Sequence, residues 1–451
     1  MHTYTAEAER MARALADFCL QRLEGKVPLD RPQTPEQLEA EAGQTVTAKG
    51  IGPDAALHLW RDVLGPSCLS VDHRRYLSFI PSAPSKAAAG FDMLVGATSV
   101  YGGSWLEGSG AVYAENQALR WLADLAGLPA GAGGAFVQGG TIGNLSALVA
   151  AREAARRSHG RPRQWAVCLT EEAHSSIKHA LHVVMDVDVV EIPVDERGRL
   201  VGAALRDTVV ALPDDIREGI FAVVATAGAT NLGVVDDIAG AAEVCHDYGW
   251  WLHVDGAYGG AGLAAPSVAP LFKGVERADS FIVDPHKWLF APFDSCALIY
   301  RDPAAGRAAH TQHASYLDPV NVEGEWNPSD FAIQLTRRAR GLPFWFSLAV
   351  HGTDAYTEAL EQTLRVTRAG AELVRAADHL RLLVEPELSV LVFERLGWDG
   401  DDYARWSRRL LDEQVGFVTP TKHAGRVCAR FAIVNPLTTT DDLALIIDSM
   451  R

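Results

Sequence analysis

The chain has few cysteines, no long apolar run and no excess of positive charge, and each shortage removes a class of protein. Only six cysteines occur in 451 residues (Cys19, Cys68, Cys168, Cys245, Cys296 and Cys428), none in Cys-x-x-Cys spacing. That pattern predicts free thiols and argues against a zinc site or a disulfide framework. No apolar stretch reaches the length of a membrane span, and Met1-His2-Thr3-Tyr4-Thr5-Ala6-Glu7 lacks the basic start and apolar core of a signal peptide. A cytoplasmic protein is therefore expected. A formal charge of -16 argues against a nucleic-acid binder, whose footprint is a basic face. Internal repeats, a P-loop and a Rossmann fingerprint are also missing. What remains, 48% hydrophobic and 22% charged residues, is the composition of an ordinary globular protein, long enough for two or three domains.

The pattern changes twice along the chain. Residues 1–85 read as helical: Met11, Leu15, Phe18 and Cys19 fall at helical spacing, Thr34-Pro35-Glu36-Gln37 resembles a capped helix start, and a third helix is predicted from Pro53 to Leu64. Such short helices need something else to pack on, such as a second subunit. Residues 86–340 alternate helix-like segments with short apolar runs, among them Ala166–Leu169, Phe221–Ala225, Trp251–Val254, Ser280–Val283 and Ala297–Tyr300. Continuous apolar strands separated by helices predict an α/β fold with a mainly parallel sheet covered on both faces. Residues 341–451 read as a smaller α+β domain: a helical stretch from Phe344 to Ala377, a strand around Leu388–Phe393, a helix from Tyr403 to Gln414, a strand from Val427 to Val434 and a last helix from Thr440.

Ligands of parallel sheets bind at the carboxyl ends of the strands, and the chemistry-bearing residues of this chain fall there. The run Ser280-Phe281-Ile282-Val283-Asp284-Pro285-His286-Lys287 ends a strand in a turn that offers a lysine amine, suited to covalent chemistry on a carbonyl cofactor. Trp251-Leu252-His253-Val254-Asp255-Gly256-Ala257 ends a second strand in an aspartate. His174, in Glu172-Ala173-His174-Ser175-Ser176, follows a third, where a histidine stacks on a flat ligand, moves a proton or is simply structural. Gly139-Gly140-Thr141 precedes a helix predicted over Ser146–Arg156; exposed backbone N–H groups and a hydroxyl there suit a phosphate, and a plain glycine-rich turn is the alternative.

These elements, in this order, resemble the fold type I pyridoxal-phosphate enzymes, and within them the group II amino-acid decarboxylases. Tyr76-Leu77-Ser78-Phe79-Ile80-Pro81, Gly103-Ser104-Trp105, Ala278-Asp279-Ser280-Phe281, Lys287-Trp288-Leu289 and Arg430-Phe431-Ala432-Ile433 extend the likeness over nearly the whole chain. The resemblance implies pyridoxal 5'-phosphate as cofactor and a homodimer with shared active sites; no metal is expected, because the cysteine spacing offers no site for one. It makes Lys287 the Schiff-base lysine and pairs Asp255 with the pyridine nitrogen. His174 would stack on the ring, with Gly139, Gly140 and Thr141 on the phosphate, and Ala257 leaving room. Thr226 and Asp284 would lie close to the cofactor, and His286 beside the lysine, where it could help with proton traffic. Phe79, Ile80, Pro81, Tyr101, Gly103, Trp105 and Arg430 would line or border the substrate pocket, although Arg430 also suits a structural ion pair. An aromatic or bulky apolar amino acid is the implied substrate.

Three departures stand out. Asp284 stands where the animal aromatic decarboxylases carry asparagine. Gly103 replaces a phenylalanine of that family and Tyr101 a smaller aliphatic residue, so the pocket is reshaped. Pro328 falls where a mobile-loop tyrosine returns a proton to carbon after CO2 leaves; Tyr316 matches an upstream Tyr-Leu instead. Either another group, His174 first, delivers that proton, or oxygen intercepts the carbon and an aldehyde forms. Arg74 and Arg75 leave an acidic substrate open, and a catalytically silent binding protein is the reading from another class.

Overall fold

The structure, a computed structural model, describes residues 2–319 and 324–451. Its centre is a seven-stranded sheet of β1 (Gly133–Val137), β2 (Ala166–Leu169), β3 (Asp188–Glu191), β4 (Ile220–Thr226), β5 (Trp251–Asp255), β6 (Ser280–Val283) and β7 (Cys296–Tyr300). The order is β1-β7-β6-β5-β4-β2-β3, with β3, β2, β4, β5 and β6 parallel and β7 antiparallel to both of its neighbours. This is the α/β, mainly parallel architecture of fold type I. All residues of β1, β2, β4, β6 and β7 are buried, as strands covered on both faces must be, which explains the apolar runs of β2, β4, β6 and β7, polar only at Thr226 and Ser280.

Two strands of this sheet escape the sequence pattern. β1 begins Gly133-Gly134-Ala135 and reads as a loop, yet a Cβ on Gly134 would overlap the Leu298 carbonyl of β7, and one on Gly133 would sit 2.8 Å from the Trp326 ring. Glycine is needed there for close approach of neighbouring groups. β3 is an edge strand, Asp188-Val189-Val190-Glu191, whose acidic ends are exposed and hide its type.

A second, antiparallel sheet in the order β10-β11-β9-β8 comprises β8 (Leu380–Val384), β9 (Val390–Arg395), β10 (Thr421–His423) and β11 (Arg426–Ala432). It packs on its own apolar cluster, including Phe393, Tyr403, Trp406 and Phe431. The predicted helix from Phe344 to Ala377 is two helices, Leu342–His351 and Thr353–Ala376, broken at Gly352 with φ 74°. The helix from Pro53 ends at Leu59 and continues as a π turn over Trp60–Leu64. None of the helices Ala6–Glu24, Pro35–Ala42 and Pro53–Leu59 contains a buried residue.

All six cysteines are free, four of them buried. Among the described residues, no helix is long and apolar enough to cross a membrane.

Candidate active site

Thr226, Asp255 and Val283 end neighbouring strands, because β4, β5 and β6 run parallel and Asp255 sits in register with both Thr226 and Ile282. β1 has the same direction as β6, since both are antiparallel to β7, so the glycine turn after β1 emerges at the same edge. His174 follows β2 there. One cavity of about 320 Å³ opens at this edge, and all ten residues expected to meet the cofactor line it: Gly139, Gly140, Thr141, His174, Thr226, Asp255, Ala257, Asp284, His286 and Lys287.

The helix behind the glycine turn starts at Gly140, not at Ser146, and runs to His159, so the Gly-Thr pair forms its first turn. No side chain caps that end, which leaves helical N–H groups and the positive end of the dipole toward the cavity. Gly140 permits the approach: a Cβ there would lie 3.2 Å from both the Ala257 methyl and Asp284 Oδ2.

Lys287 Nζ lies 3.0 Å from Asp284 Oδ2, and His286 Nε2 is 3.7 Å from the same oxygen. Burial opposes the charge of Lys287, but the nearby Asp284 and Asp255 outweigh it and its pKa is raised. Burial likewise opposes the carboxylate of Asp284, and Lys287 and His286 outweigh it, so that pKa is lowered. Both histidines are shifted down. Burial does so first for each, with Lys287 adding to it; at His174 the Lys287 charge is the second cause. The Ser176 N–H donates to His174 Nδ1 at 3.3 Å, and the Ser176 hydroxyl lies 2.8 Å from the same nitrogen. His174 is thereby held as a neutral ring with its proton on Nε2. Asp255 accepts from the Ala257 N–H at 3.0 Å and from Asn144 Nδ2 at 3.0 Å.

Two cavity-lining side chains carry buried atoms without a hydrogen-bond partner, Thr226 Oγ1 and Asp284 Oδ1. Buried polar atoms left open in this way call for a ligand. A phosphate for the N–H groups of the helix end, a protonated ring nitrogen for the Asp255 carboxylate and an aldehyde for the lysine amine together match the groups present, so the residues fit pyridoxal phosphate.

The expected substrate residues divide into three groups. Phe79 and Arg430 line a second hollow of about 350 Å³ that shares His174 and Thr230 with the cavity. Phe79 is 59% exposed, with φ 55°, and its strained backbone is held by Arg430 Nη1, which donates to the Phe79 carbonyl at 2.8 Å. Arg430 Nη2 donates to the Thr230 carbonyl, so Arg430 is held by backbone hydrogen bonds, and among the described residues it forms no ion pair. Ile80 and Pro81 are buried, and Ile80 belongs to the main core, so neither lines the hollow.

Tyr101, Gly103 and Trp105 line neither space in this chain. They grip the segment that resumes at residue 324: Tyr101 Oη donates to the Leu335 carbonyl at 2.8 Å, Ser329 N–H to the Gly103 carbonyl at 3.1 Å, and Trp105 N–H to Asn327 Oδ1 at 2.8 Å. A Cβ on Gly103 would overlap the Tyr101 ring, so the aromatic group at 101 takes the room a side chain at 103 would need. Pro328 is buried in this grip. The side chain of Tyr316 lies outside the described residues.

Arg74 and Arg75 stand away from the site. Arg74 is paired with Asp442 at 3.2 Å, and Arg75 donates to the Gln414 carbonyl at 3.4 Å. Other cavity residues escape the sequence pattern, including Gln138, Asn144, Ser176, Thr230 and Tyr258. Asn144 is legible in principle: it is four residues after Gly140, on the same face of one helix.

Comparison with known proteins agrees with this site. Residues 35–396 match the model of the pyridoxal-dependent decarboxylase conserved domain. The chain is 29% identical over 421 residues to the aromatic-L-amino-acid decarboxylase of Bacillus atrophaeus, covering 90% of this chain and 87% of that one. It is 31% identical over 412 residues to the L-2,4-diaminobutyrate decarboxylase of Rhizobium meliloti, covering 89% and 82%. The fold superposes on a crystal structure of Oryza sativa TDC with PLP and tryptamine with a TM-score of 0.89 at 24% identity, over 100% of this chain and 99% of that one. A lysine, an aspartate and a glycine-capped helix brought to one sheet edge are thus set in a matching sequence frame, and the chain belongs to the pyridoxal-dependent decarboxylases, carboxy-lyases that use pyridoxal 5'-phosphate to act on amino acids.

Proposed function

We propose that this enzyme decarboxylates an L-amino acid with an aromatic or bulky apolar side chain, releasing the amine and CO2. The observation that carries the substrate class is Phe79, an exposed aromatic residue whose backbone carbonyl Arg430 holds, at the wall of the hollow that adjoins the cavity through His174 and Thr230. An acidic substrate has less support, because Arg74 and Arg75 are engaged elsewhere.

When bound, pyridoxal phosphate supplies an aldehyde for amines and a protonated ring that takes up the electron pair freed when the Cα–CO2 bond breaks. Lys287 provides the anchoring amine. Asp255 keeps the ring nitrogen protonated, and the N terminus of the helix Gly140–His159, with Thr141, holds the phosphate. His174 would cover the ring and return a proton to carbon from Nε2 while Nδ1 takes up one from the Ser176 hydroxyl beside it, which solvent replenishes. His286, against the Ser295 backbone, buttresses the turn that carries the lysine.

The helices Lys86–Thr98 and Trp105–Leu125 expose Met93, Leu94, Leu106 and Tyr113, which supports a homodimer with the N-terminal helices clasping the partner.

Screening the standard amino acids and diaminobutyrate for CO2, amine and peroxide tests the substrate class. Diaminobutyrate is included because Glu171 and Glu172 also line the hollow. Turnover of aromatic substrates that drops in Phe79→Ala through a higher KM is expected; turnover confined to acidic or cationic amino acids would overturn the proposal. A second reading, decarboxylation with oxidative deamination to an aldehyde, is favoured by Pro328, buried where the family's loop tyrosine would stand. Peroxide formed in step with CO2 would establish it.

A further inference from the structure

Beneath Asp255 lies a line of buried polar side chains that make no contact with the space for the cofactor except through Asn144 and Asp255. Trp251, His253 and Asp255 alternate along β5, so all three point to one face of the sheet. That face meets Asn144 of the helix Gly140–His159, and Ser280 of β6 is in register with His253. His253 and Ser280 are fully buried and Asn144 almost so. Trp251 Nε1 donates to Ser280 Oγ at 2.8 Å, Ser280 Oγ is 2.8 Å from His253 Nδ1, and His253 Nε2 is 2.7 Å from Asn144 Oδ1. Asn144 Nδ2 completes the line by donating to Asp255 Oδ2.

Chemistry fixes the direction of every proton in it. An indole N–H only donates, so Ser280 Oγ accepts from Trp251. The Asn144 amide spends its N–H on Asp255, so its oxygen must accept and His253 Nε2 must carry a proton. His253 Nδ1 is then bare and takes the hydroxyl proton of Ser280. Burial, the main cause, pushes the His253 imidazole down to about 4, so it is neutral near physiological pH, as this arrangement requires. All four donors therefore point toward Asp255, with no proton missing and none in excess. Packing alone does not demand such a line, since apolar side chains of similar volume fill a core as well as a buried polar network does.

We propose that Asn144, His253 and Ser280 are positioning residues for the decarboxylase: a one-way hydrogen-bond relay that holds the Asp255 carboxylate as an acceptor aimed at the cofactor's ring nitrogen. The proposal rests on the assignment of this cavity to pyridoxal phosphate. It places the support of Asp255 on two strands and a helix, the rigid elements on which a site keeps its geometry.

The test compares Asn144→Leu and His253→Phe, which break the line, with His253→Gln, which keeps a donor toward Asn144. Each holoenzyme is loaded with nitrogen-15-labelled cofactor and the ring-nitrogen resonance is read beside kinetics. The breaking variants should move the resonance toward the unprotonated form and lower kcat about tenfold to a hundredfold with KM little changed, and His253→Gln should restore both. Variants that only melt earlier, with wild-type resonance and kcat, would overturn the relay and leave the decarboxylase reading intact. A second measurement needs neither cofactor nor turnover. In histidine-labelled apoprotein, the His253 signal, identified by its shift in Ser280→Ala, should report a neutral ring with the proton on Nε2. A ring protonated on Nδ1, or an imidazolium, at neutral pH would overturn the proposal. A wild type that takes up no cofactor, yet shows that tautomer, would instead overturn the functional reading, and with it the relay's catalytic role, while leaving the hydrogen-bond line to Asp255 in place.

Discussion

The amine of Lys287 stands 3.0 Å from the carboxylate of Asp284, three residues earlier in the same turn. Each holds the other charged against the cost of burial. The lowered pKa of Asp284 adds stability above its unfolded value and loses it as pH falls through the folded value; the raised pKa of Lys287 adds stability below its unfolded value and loses it as pH rises through the folded one. The pair is therefore intact across the neutral range, and the free amine needed to capture an aldehyde is scarce there.

Covalent uptake of cofactor by the apoprotein should accelerate as pH rises. Asp284→Asn removes the carboxylate that raises the lysine pKa, so the rise should move to lower pH. Stopped-flow visible absorbance over a pH series reads this directly, and an unshifted profile would contradict the role given to the pair.

Lys287→Ala should bind the cofactor without the visible absorbance of its covalent form. Asp255→Ala should keep that absorbance and lose most turnover, because the ring nitrogen loses its partner. Spectra beside steady-state kinetics decide it, and normal turnover in Asp255→Ala would remove that residue from the mechanism.

Replacing Gly103 by alanine drives a methyl group into the Tyr101 ring. Overpacking of this kind costs about 1–3 kcal/mol. Denaturant unfolding should find that loss, and Tyr101→Val in the same chain should recover most of it. Equal losses in the single and double variants would show that the ring and the glycine are not coupled.

In the proposed mechanism the proton at carbon comes from His174, because Pro328 occupies the place of the family's loop tyrosine. His174→Asn should lower the ratio of amine to CO2 and raise oxygen uptake per CO2, with amine formation down about a hundredfold, the scale of general acid catalysis. An oxygen electrode beside amine analysis measures both, and an unchanged ratio would assign the proton to another donor.

Much of this site is legible in the chain because the reactive groups sit where strand patterns end. Apolar runs mark β2, β4 and β6, and β5 apart from His253, and a reactive group stands at the end of each strand or a few residues beyond it: His174, Thr226, Asp255 and Lys287. The hidden strands are those whose composition answers to neighbours: β1 has glycines because Leu298 and Trp326 leave no room for side chains, and β3 has acidic ends because it is an edge. The phosphate-side helix reads six residues short at its start for a similar reason. Its first turn is glycine-rich for close packing on Ala257 and Asp284, and glycine looks like loop.

By itself the sequence determined the alternation of strand and helix and the reactive groups at the strand ends, since these are local properties of the chain, and the motifs around those groups carried the resemblance that names the cofactor. Only the tertiary structure decided which residues share a cavity. It joined Asn144 to Asp255 across more than a hundred positions, drew Tyr101, Gly103 and Trp105 into a grip on the segment holding Pro328, and turned Arg430 from a candidate ion pair into the clamp on Phe79. The reason is physical: buried polar atoms must find partners wherever the fold brings them, and those partners lie far apart in sequence.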